Sequence, residues 1–412
     1  MRIVVAGGGV AGAASAVALA HAGADVTVYE AHDDPAGAVG SFLSLAANGL
    51  RGLEVLGCLP QVQSAGFAVA RQRMWAGNGK LLGDVPRGRR SGDPLHSVTL
   101  MRGDLVTALR DEAARAGARI ITGQRFTEDG LRRARVGEAD LIVGADGIWS
   151  AARRVLDPAA PEPAYAGLYS VSGVSVPGVS ASGVTAGPGQ EQPDAVSGVT
   201  AGPGQEQPGA WNMIFGRSGA FIYLPAPDGT IWWSAQVSSP VPPPDPSAVG
   251  PGQLATLFRG EHRAVAILRG ARTVHAATLH HVLAPVSRWH GRDLVLVGDA
   301  AHPAGAGQGA SMAIEDAVEL ARQLRRPGTV AEALAGYDEI RRARAGKMAK
   351  IAAANRDAKS AGPVAVRLRN LLMPFFFNRF YERATGWLYD YQPESTESGR
   401  EPASRGPSRS GN

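Results

Sequence analysis

Residues 3–30 read IVVAGGGVAGAASAVALAHAGADVTVYE, and the order of residue types in this stretch decides the fold. Ile3 to Ala6 form a short apolar run with β-branched members, the pattern of a strand buried on both faces of a parallel sheet. Gly7 to Gly12 follow with the spacing G-x-G-x-x-G, and Ala13 to Ala22 are small helix formers. Val26 to Glu30 then make a second apolar strand that closes on a carboxylate. Strand, glycine turn, helix, strand and acid in this register predict a dinucleotide-binding β-α-β unit. Gly7 allows the tight turn, Gly9 lets backbone N–H groups approach a pyrophosphate, and Gly12 lets the helix pack close to the strand. Glu30 stands where a carboxylate accepts hydrogen bonds from an adenosine ribose, which favours FAD or NAD over NADP. The expected cofactor contacts of this unit are Gly7, Gly9, Ala11, Gly12 and Glu30.

The whole chain has 412 residues, 44% of them hydrophobic, enough for one large or two medium domains. Its net charge of +5 comes with only four Lys among 42 basic residues. The excess is of Arg and accompanies Ala and Gly richness, and no basic run interleaves with aromatics, so no nucleic-acid groove is expected. Cys58 is the only cysteine, which excludes an internal disulfide and a zinc cluster and fits a reducing, cytoplasmic compartment. No metal site is expected. The N-terminus imitates a secretory leader, but a stretch that must fold to build a site is expected to be retained. No apolar run reaches membrane-spanning length.

Further along, apolar spacing predicts helices at Asn48 to Leu56 and Leu105 to Ala116. Asp140 to Arg154 (DLIVGADGIWSAARR) begins as a buried strand and breaks at Asp146-Gly147. From about Asp157 to Leu279 helical periodicity fades and strand signals take over. The clearest are the two β-rich runs of AFIYLPAPDGTIWWSAQV (220–237), a hairpin about Pro227-Asp228-Gly229. SGVTAGPGQEQP occurs at 182–193 and again at 197–208, a tandem duplication expected in a mobile surface loop. The α/β pattern returns with DLVLVGDA as a strand, Ala310 to Leu324 as a helix and a long basic helix over Ala331 to Asp357. LLMPFFFNRFYERATGWLYDY (371–391) is an apolar docking segment for the domain or a second subunit, and the polar tail from Gln392 is expected to be disordered.

Three glycine-bearing motifs therefore lie far apart: GGGVAG at 7–12, GADGIWSAAR at 144–153 and GDAAHPAGAGQGAS at 298–311. In this order, with the hairpin at 221–237, the chain resembles the FAD-dependent aromatic hydroxylases, single-component flavoprotein monooxygenases with the p-hydroxybenzoate hydroxylase fold. The resemblance covers about residues 1 to 355. It implies an α/β fold in which a Rossmann-like FAD domain (1–70, 98–156 and 280–355) carries an inserted β-sheet substrate domain (71–97 and 157–279). C-terminal helices (356–391) and a disordered tail (392–412) would follow.

The resemblance also assigns residues. Arg102 would lie near the FAD pyrophosphate and ribityl chain, and Asp146-Gly147, with Ser150 and Arg153, matches a motif for FAD and NAD(P)H. Asp299 would bind the ribityl hydroxyls, while Gly307, Gly309 and Ala310 would set a helix N-terminus against the flavin pyrimidine. That placement is physically apt, because a helix N-terminus offers N–H donors and partial positive charge to a reduced flavin. The implied activity is hydroxylation of an aromatic or polycyclic small molecule with NADPH or NADH and O2, through a flavin C4a-hydroperoxide. The alternatives are a flavin dehydrogenase or reductase and a nucleotide-binding module without chemistry. A monomer or homodimer without stable membrane association is expected.

No catalytic base is legible. Tyr223, Trp232 and Trp233 are pocket candidates, since strand alternation sends some of them inward. His302 is either an acid–base group or a hydrogen-bonding support under the flavin loop. Glu315 and Asp316 are adjacent on a helix and point about 100 degrees apart, so they brace the loop and do not form a dyad. Two departures from the family pattern stand out. Only Ala304, Gly305 and Ala306 separate His302-Pro303 from the GQG turn, and the segment after Glu30 lacks the Arg or Lys often seen there, which leaves NADH and NADPH both open.

Overall fold

The computed structural model describes residues 1–34, 41–135, 139–176, 209–303, 307–359, 372–377 and 379–393. The duplicated segment 182–208, the short turn 304–306 and the tail from 394 lie outside them.

The chain begins with β1 (Arg2–Ala6), α1 (Val10–His21) and β2 (Asp25–Tyr29), then β3 (Phe42–Leu45), α2 (Ala47–Val55), α3 (Leu59–Ala65) and β4 (Phe67–Val69). It leaves for β5 (Arg71–Ala76) and β6 (Leu81–Pro86). It returns for β7 (Ser97–Met101), α4 (Arg102–Arg115), β8 (Arg119–Ile121), α5 (Glu128–Arg133), β9 (Leu141–Gly144) and α6 (Ala151–Leu156). A second excursion makes β10 (Ala164–Ser175), β11 (Ala210–Phe215), β12 (Gly219–Pro225), β13 (Ile231–Ser238), α7 (Pro251–Leu257), α8 (His262–Arg269), β14 (Ala271–Val274) and β15 (Thr278–Val282). The last return supplies β16 (Leu294–Leu296), α9 (Gly309–Leu324) and α10 (Val330–Lys359).

One sheet has the order β16-β9-β1-β2-β8, and every pairing in it is parallel. All four residues of β9 and all three of β16 are buried, as continuous apolar runs in a sheet covered on both faces require. Helix α1 packs against both α4 and α9. Its small side chains allow that crowding, and Val10 and Gly12 to Leu19 are buried. Strand order reverses beside β1, with β2 on one side and β9 on the other. That reversal opens a crevice at the carboxyl ends of the strands, where doubly wound sheets bind ligands.

The other large sheet runs β14-β10-β13-β12-β11-β5-β6, with β15 also on β10, and is antiparallel except where β11 meets β5. The expected hairpin is β12–β13, turning at Gly229 with φ +81°. The sequence predicts strands and no helix between 157 and 279, yet α7 and α8 lie there. Their apolar residues Leu254, Phe258, Ile267 and Leu268 cover one face of this sheet. Each is under nine residues, too short for its periodicity to stand out in sequence. The boundary expected at 280 falls inside β15, whose pairing with β10 carries the chain to Val282. A small third sheet, β3-β7-β4, bridges the two large ones in sequence.

Candidate active site

Four of the loops that leave the carboxyl ends of the parallel strands converge: Gly7 after β1, Glu30 after β2, Asp146 after β9 and Gly298 after β16. They border two adjoining cavities of about 430 and 420 Å³ that share Gly9, Arg102, Ala145 and Gly147 in their walls. Together these form one long trench. Gly7, Glu30, Asp146 and Arg154 lie at one end, and Ala11, Asp299, Gly307, Gly309 and Ala310 at the other.

Main chain shapes the first end. Gly7 has φ +105°, and a Cβ on it would lie 2.4 Å from the Ala145 carbonyl oxygen. A Cβ on Gly12 would come within 1.8 Å of the Gly7 oxygen. Gly12 thus borders neither cavity and acts by letting α1 press against the turn. The side chain of the α1 N-cap residue, Gly9, offers no acceptor, so first-turn N–H groups remain for a ligand beside Arg102. Glu30 is buried, and its Oε2 and Oε1 accept from the backbone N–H of Gly8 (2.7 Å) and His32 (2.8 Å). These bonds fix the carboxylate at the trench wall.

Asp146 differs from the other acids. Its Oδ2 accepts from Ala151 N–H at 2.7 Å and Ala152 N–H at 3.0 Å, capping α6. Ser150 Oγ caps the same helix through Arg153 N–H, and the Arg153 guanidinium donates to the Ala300 and Ile148 carbonyls. Asp146 Oδ1 is buried with no partner among the described residues, in the wall of the trench. The N-terminus of α9, at Gln308, likewise has no side-chain cap, and Gly309 and Ala310 face the cavity there.

Beneath that turn lies a buried ionic network. Asp316 accepts from Gly298 N–H (2.8 Å), from His302 Nε2 (2.7 Å) and from Arg341 Nε (2.7 Å). Glu315 takes Arg341 Nη1 at 2.6 Å, Arg344 at 2.6 and 2.7 Å, and the Asn48 amide at 2.7 Å. The two carboxylates point differently, as helix geometry requires, and one guanidinium spans both. Burial pushes the Asp316 carboxyl up, but the charges of His302 and Arg341 and the bonds from His302 and Gly298 outweigh it and hold it at about 2. Burial pulls the Arg341 guanidinium down, and Asp316 and Glu315 more than reverse this. His302 packs at a tilt against Trp289, ring centroids 5.0 Å apart, and does not border the cavity. Its ring supports the turn, which matches the hydrogen-bonding alternative, and its expected place beside the pocket aromatics is corrected.

The far end of the trench rests on the large sheet. Ser170, Trp211, Ile222, Ser234, Gln236 and His280 form its floor, and Ser41 to Ser44 form a wall. Alternation decides which aromatics reach it. Tyr223 and Trp233 pair across β12–β13 on the opposite face, where Trp233 stacks on Phe221 at 6.0 Å and both pack with Phe258. The Tyr223 hydroxyl accepts from Arg263 at 2.9 Å. These two candidates therefore belong to the core under α7 and α8, where apolar helix side chains bury them. Trp232 is on the cavity face but does not border the cavity; it packs beside it on Phe67 (5.2 Å) and Phe42 (5.8 Å). Trp211, Phe42, Ile222 and Arg87 went unread, because none sits in a motif and sheet register alone brings them together. Cys58 is buried with its thiol pushed up to about 12, first by burial and then by Glu112, so it is no nucleophile.

The shape and donor set fit FAD: uncapped helix N-termini near an Arg, a fixed carboxylate at one end, and glycines where a side chain would intrude. Residues 2–79 match the model of an FAD dependent oxidoreductase family and residues 218–352 that of an FAD binding domain. The chain is 31% identical to aurachin C monooxygenase/isomerase of Stigmatella aurantiaca over 84% of its length and 86% of the relative's. It is 32% identical to 3-amino-4-hydroxybenzoate 2-monooxygenase of Streptomyces cremeus, over 83% of each. The structure of Klebsiella pneumoniae HpxO with FAD and uric acid superposes with TM-score 0.71 at 20% identity, covering 95% of this chain and 96% of that one. By this similarity, on the fold and trench described above, the chain belongs to the single-component FAD-dependent aromatic monooxygenases.

Proposed function

We propose that this enzyme oxygenates a planar aromatic or polycyclic small molecule held between the large sheet and β3. The supporting observation is the continuity of the trench, which runs from Glu30 and the α1 N-terminus to a cavity of mixed character. Phe42, Leu43, Trp211 and Ile222 offer apolar surface there, and Ser170, Ser234, Gln236 and His280 offer hydrogen-bonding groups. A flat ring with one or two polar substituents matches that lining. The names of the relatives agree, since aurachin C monooxygenase, the aminohydroxybenzoate monooxygenase and a 2-heptyl-3-hydroxy-4(1H)-quinolone synthase (28% identical over 78% of this chain) all handle aromatic compounds.

FAD, when bound, takes electrons from NADH or NADPH and activates O2. The chain's own residues bind, orient and exclude water. Glu30 would receive the ribose hydroxyls, Arg102 and the α1 N–H groups the phosphates, and Asp299 the ribityl chain. Asp146 keeps its unpartnered oxygen toward the trench. The α9 N-terminus at Gly309 and Ala310 would offer partial positive charge to a flavin pyrimidine bound there. Segments 1–70, 98–156 and about 283–355 form the nucleotide domain, and 71–97 with 157–282 form the substrate domain. We place the enzyme in the cytoplasm as a monomer or homodimer, a state that light scattering measures. Among the described residues no helix is long and apolar enough to cross a membrane.

The test is to purify the FAD-loaded protein and supply NADH or NADPH under 18O2 with 4-quinolones, hydroxybenzoates and aminohydroxybenzoates. One 18O atom in an aromatic product is expected. Substrate oxidation without 18O would make it a dehydrogenase, and protein that takes up no FAD would leave only a nucleotide-binding module.

A further inference from the structure

The hairpin β5–β6 and the loop after it are rich in arginine, and most of those charges are matched. Arg71 and Arg73 reach Asp84, Arg51 reaches Asp93 from α2, and Arg90 reaches Asp390. Arg87 is different. It borders the substrate end of the trench, where its guanidinium carbon sits over the Trp211 ring, 4.1 Å from the centroid. Nη1 donates to the Gln72 Oε1, a neutral acceptor, and Nε is buried with no partner among the described residues. No carboxylate of the described residues pairs with it, and the titratable groups facing it are the phenols Tyr389 and Tyr381. Burial pulls its protonation equilibrium down accordingly.

Arg87 as a whole is half-buried in the cavity wall, and a partly desolvated cation without an anion is stabilised by a ligand that completes the pair. Its backbone is held on both sides. Arg87 N–H donates to the Ala70 carbonyl at 3.0 Å, and Gly88, with φ +60°, follows immediately. Trp211 against the guanidinium and Gln72 bonded to it hold the group at the cavity wall before any ligand arrives, and a guanidinium's forked donors suit an oxyanion.

We propose that Arg87 is a substrate-recognition residue that receives an anionic oxygen, a carboxylate or an ionised ring hydroxyl, on the aromatic substrate. The inference rests on the aromatic-oxygenase reading and narrows its substrate class to acids. Neutral polycyclics of the same shape bind less well, because they leave the guanidinium desolvated and unpaired.

The experiment reads binding, not turnover. The FAD-loaded enzyme is titrated with matched probes, following flavin absorbance or fluorescence and heat. One arm compares 3-hydroxybenzoate with 3-hydroxybenzamide, and the other compares 4-nitrophenol, ionised at pH 8, with 4-nitroanisole. Wild type is expected to prefer the anionic member of at least one pair by about tenfold or more, and the arm that shows it identifies the oxygen. R87Q should bring that ratio close to one with FAD content and melting temperature retained. R87K keeps the charge but not the planar fork and should retain only part of the preference; it serves equally if R87Q does not fold. Equal binding of both members in wild type overturns the proposal by itself while leaving aromatic oxygenation standing. A preference that survives in R87Q also overturns it, and failure of every probe to bind overturns it together with the aromatic reading.

Discussion

At the Glu30 end of the trench the wall is largely main chain, and at the sheet end it is side chain. The first end is made of a turn at Gly7, uncapped helix N–H groups and carboxylates pinned by backbone donors. The second is made of Trp211, Ile222, Ser234, Gln236 and Arg87 projecting from strands and a loop. A main-chain wall tolerates few residue types, because an added Cβ meets another backbone atom. A side-chain wall asks only for volume and polarity at each position. The invariant part of a cofactor suits the first kind of construction, and a substrate that differs from enzyme to enzyme suits the second.

The largest effects should come from the foundation under the main-chain end. Arg341→Leu leaves Glu315 and Asp316 buried without their shared cation, and removing one partner of a buried pair costs about 3–5 kcal/mol. Denaturant unfolding should show that loss, and FAD affinity should fall because Gly298 and the α9 turn lose their anchor. The pH dependence has a definite sign. The folded Asp316 carboxyl titrates at about 2, below its ordinary 3.8. Its contribution is therefore complete above roughly pH 5 and disappears as pH falls through these values. Acid unfolding of wild type should follow that fall, and Arg341→Leu should show a shallower acid limb.

Gly12→Ala should rank next. The new Cβ would sit on the Gly7 oxygen at 1.8 Å, so α1 must move off β1, at about 1–3 kcal/mol for an overpacked core. The same shift displaces the phosphate-binding N–H groups. Bound FAD per protein, measured after gel filtration, should drop by more than stability does. A variant that keeps full FAD content would show that the turn is not under the constraint inferred for it.

This asymmetry explains what could be read from sequence. GGGVAG, GADG and GAGQGAS were legible because close contact or a positive φ demands glycine at Gly7, Gly12, Gly144, Gly147 and Gly307, and Glu30 because it ends a strand at a fixed distance from the first of them. The parallel sheet followed from the continuous apolar runs at β1, β9 and β16. Tyr223 and Trp233 could not be sorted from Trp232 for the opposite reason. Alternation divides β12 and β13 into two faces but carries no sign of which face meets α7 and α8, and the aromatics went to the thicker apolar layer. Arg87 and Trp211 lie 124 residues apart, and only the parallel pairing of β11 with β5 and the turn after β6 brings them together. His302 could be read as a support or an acid, and it was the buried Asp316 and Trp289 beside it that decided.

The finest comparison lies within one strand pair. Ser234 and Tyr223 are both buried polar residues of the hairpin, on opposite faces. Ser234→Ala removes a hydrogen-bonding group from the cavity floor, so KM should rise about 2- to 10-fold, the size of one modest hydrogen bond, with unfolding free energy unchanged. Tyr223→Phe removes an acceptor for Arg263. It should lower stability by about 0.5–1.5 kcal/mol and leave KM for the same substrate where it was. The pair is diagnostic because each variant serves as the control for the other. If Tyr223→Phe moves KM as Ser234→Ala does, the two faces are coupled through the sheet, and the division between a substrate floor and a packed underside gives way.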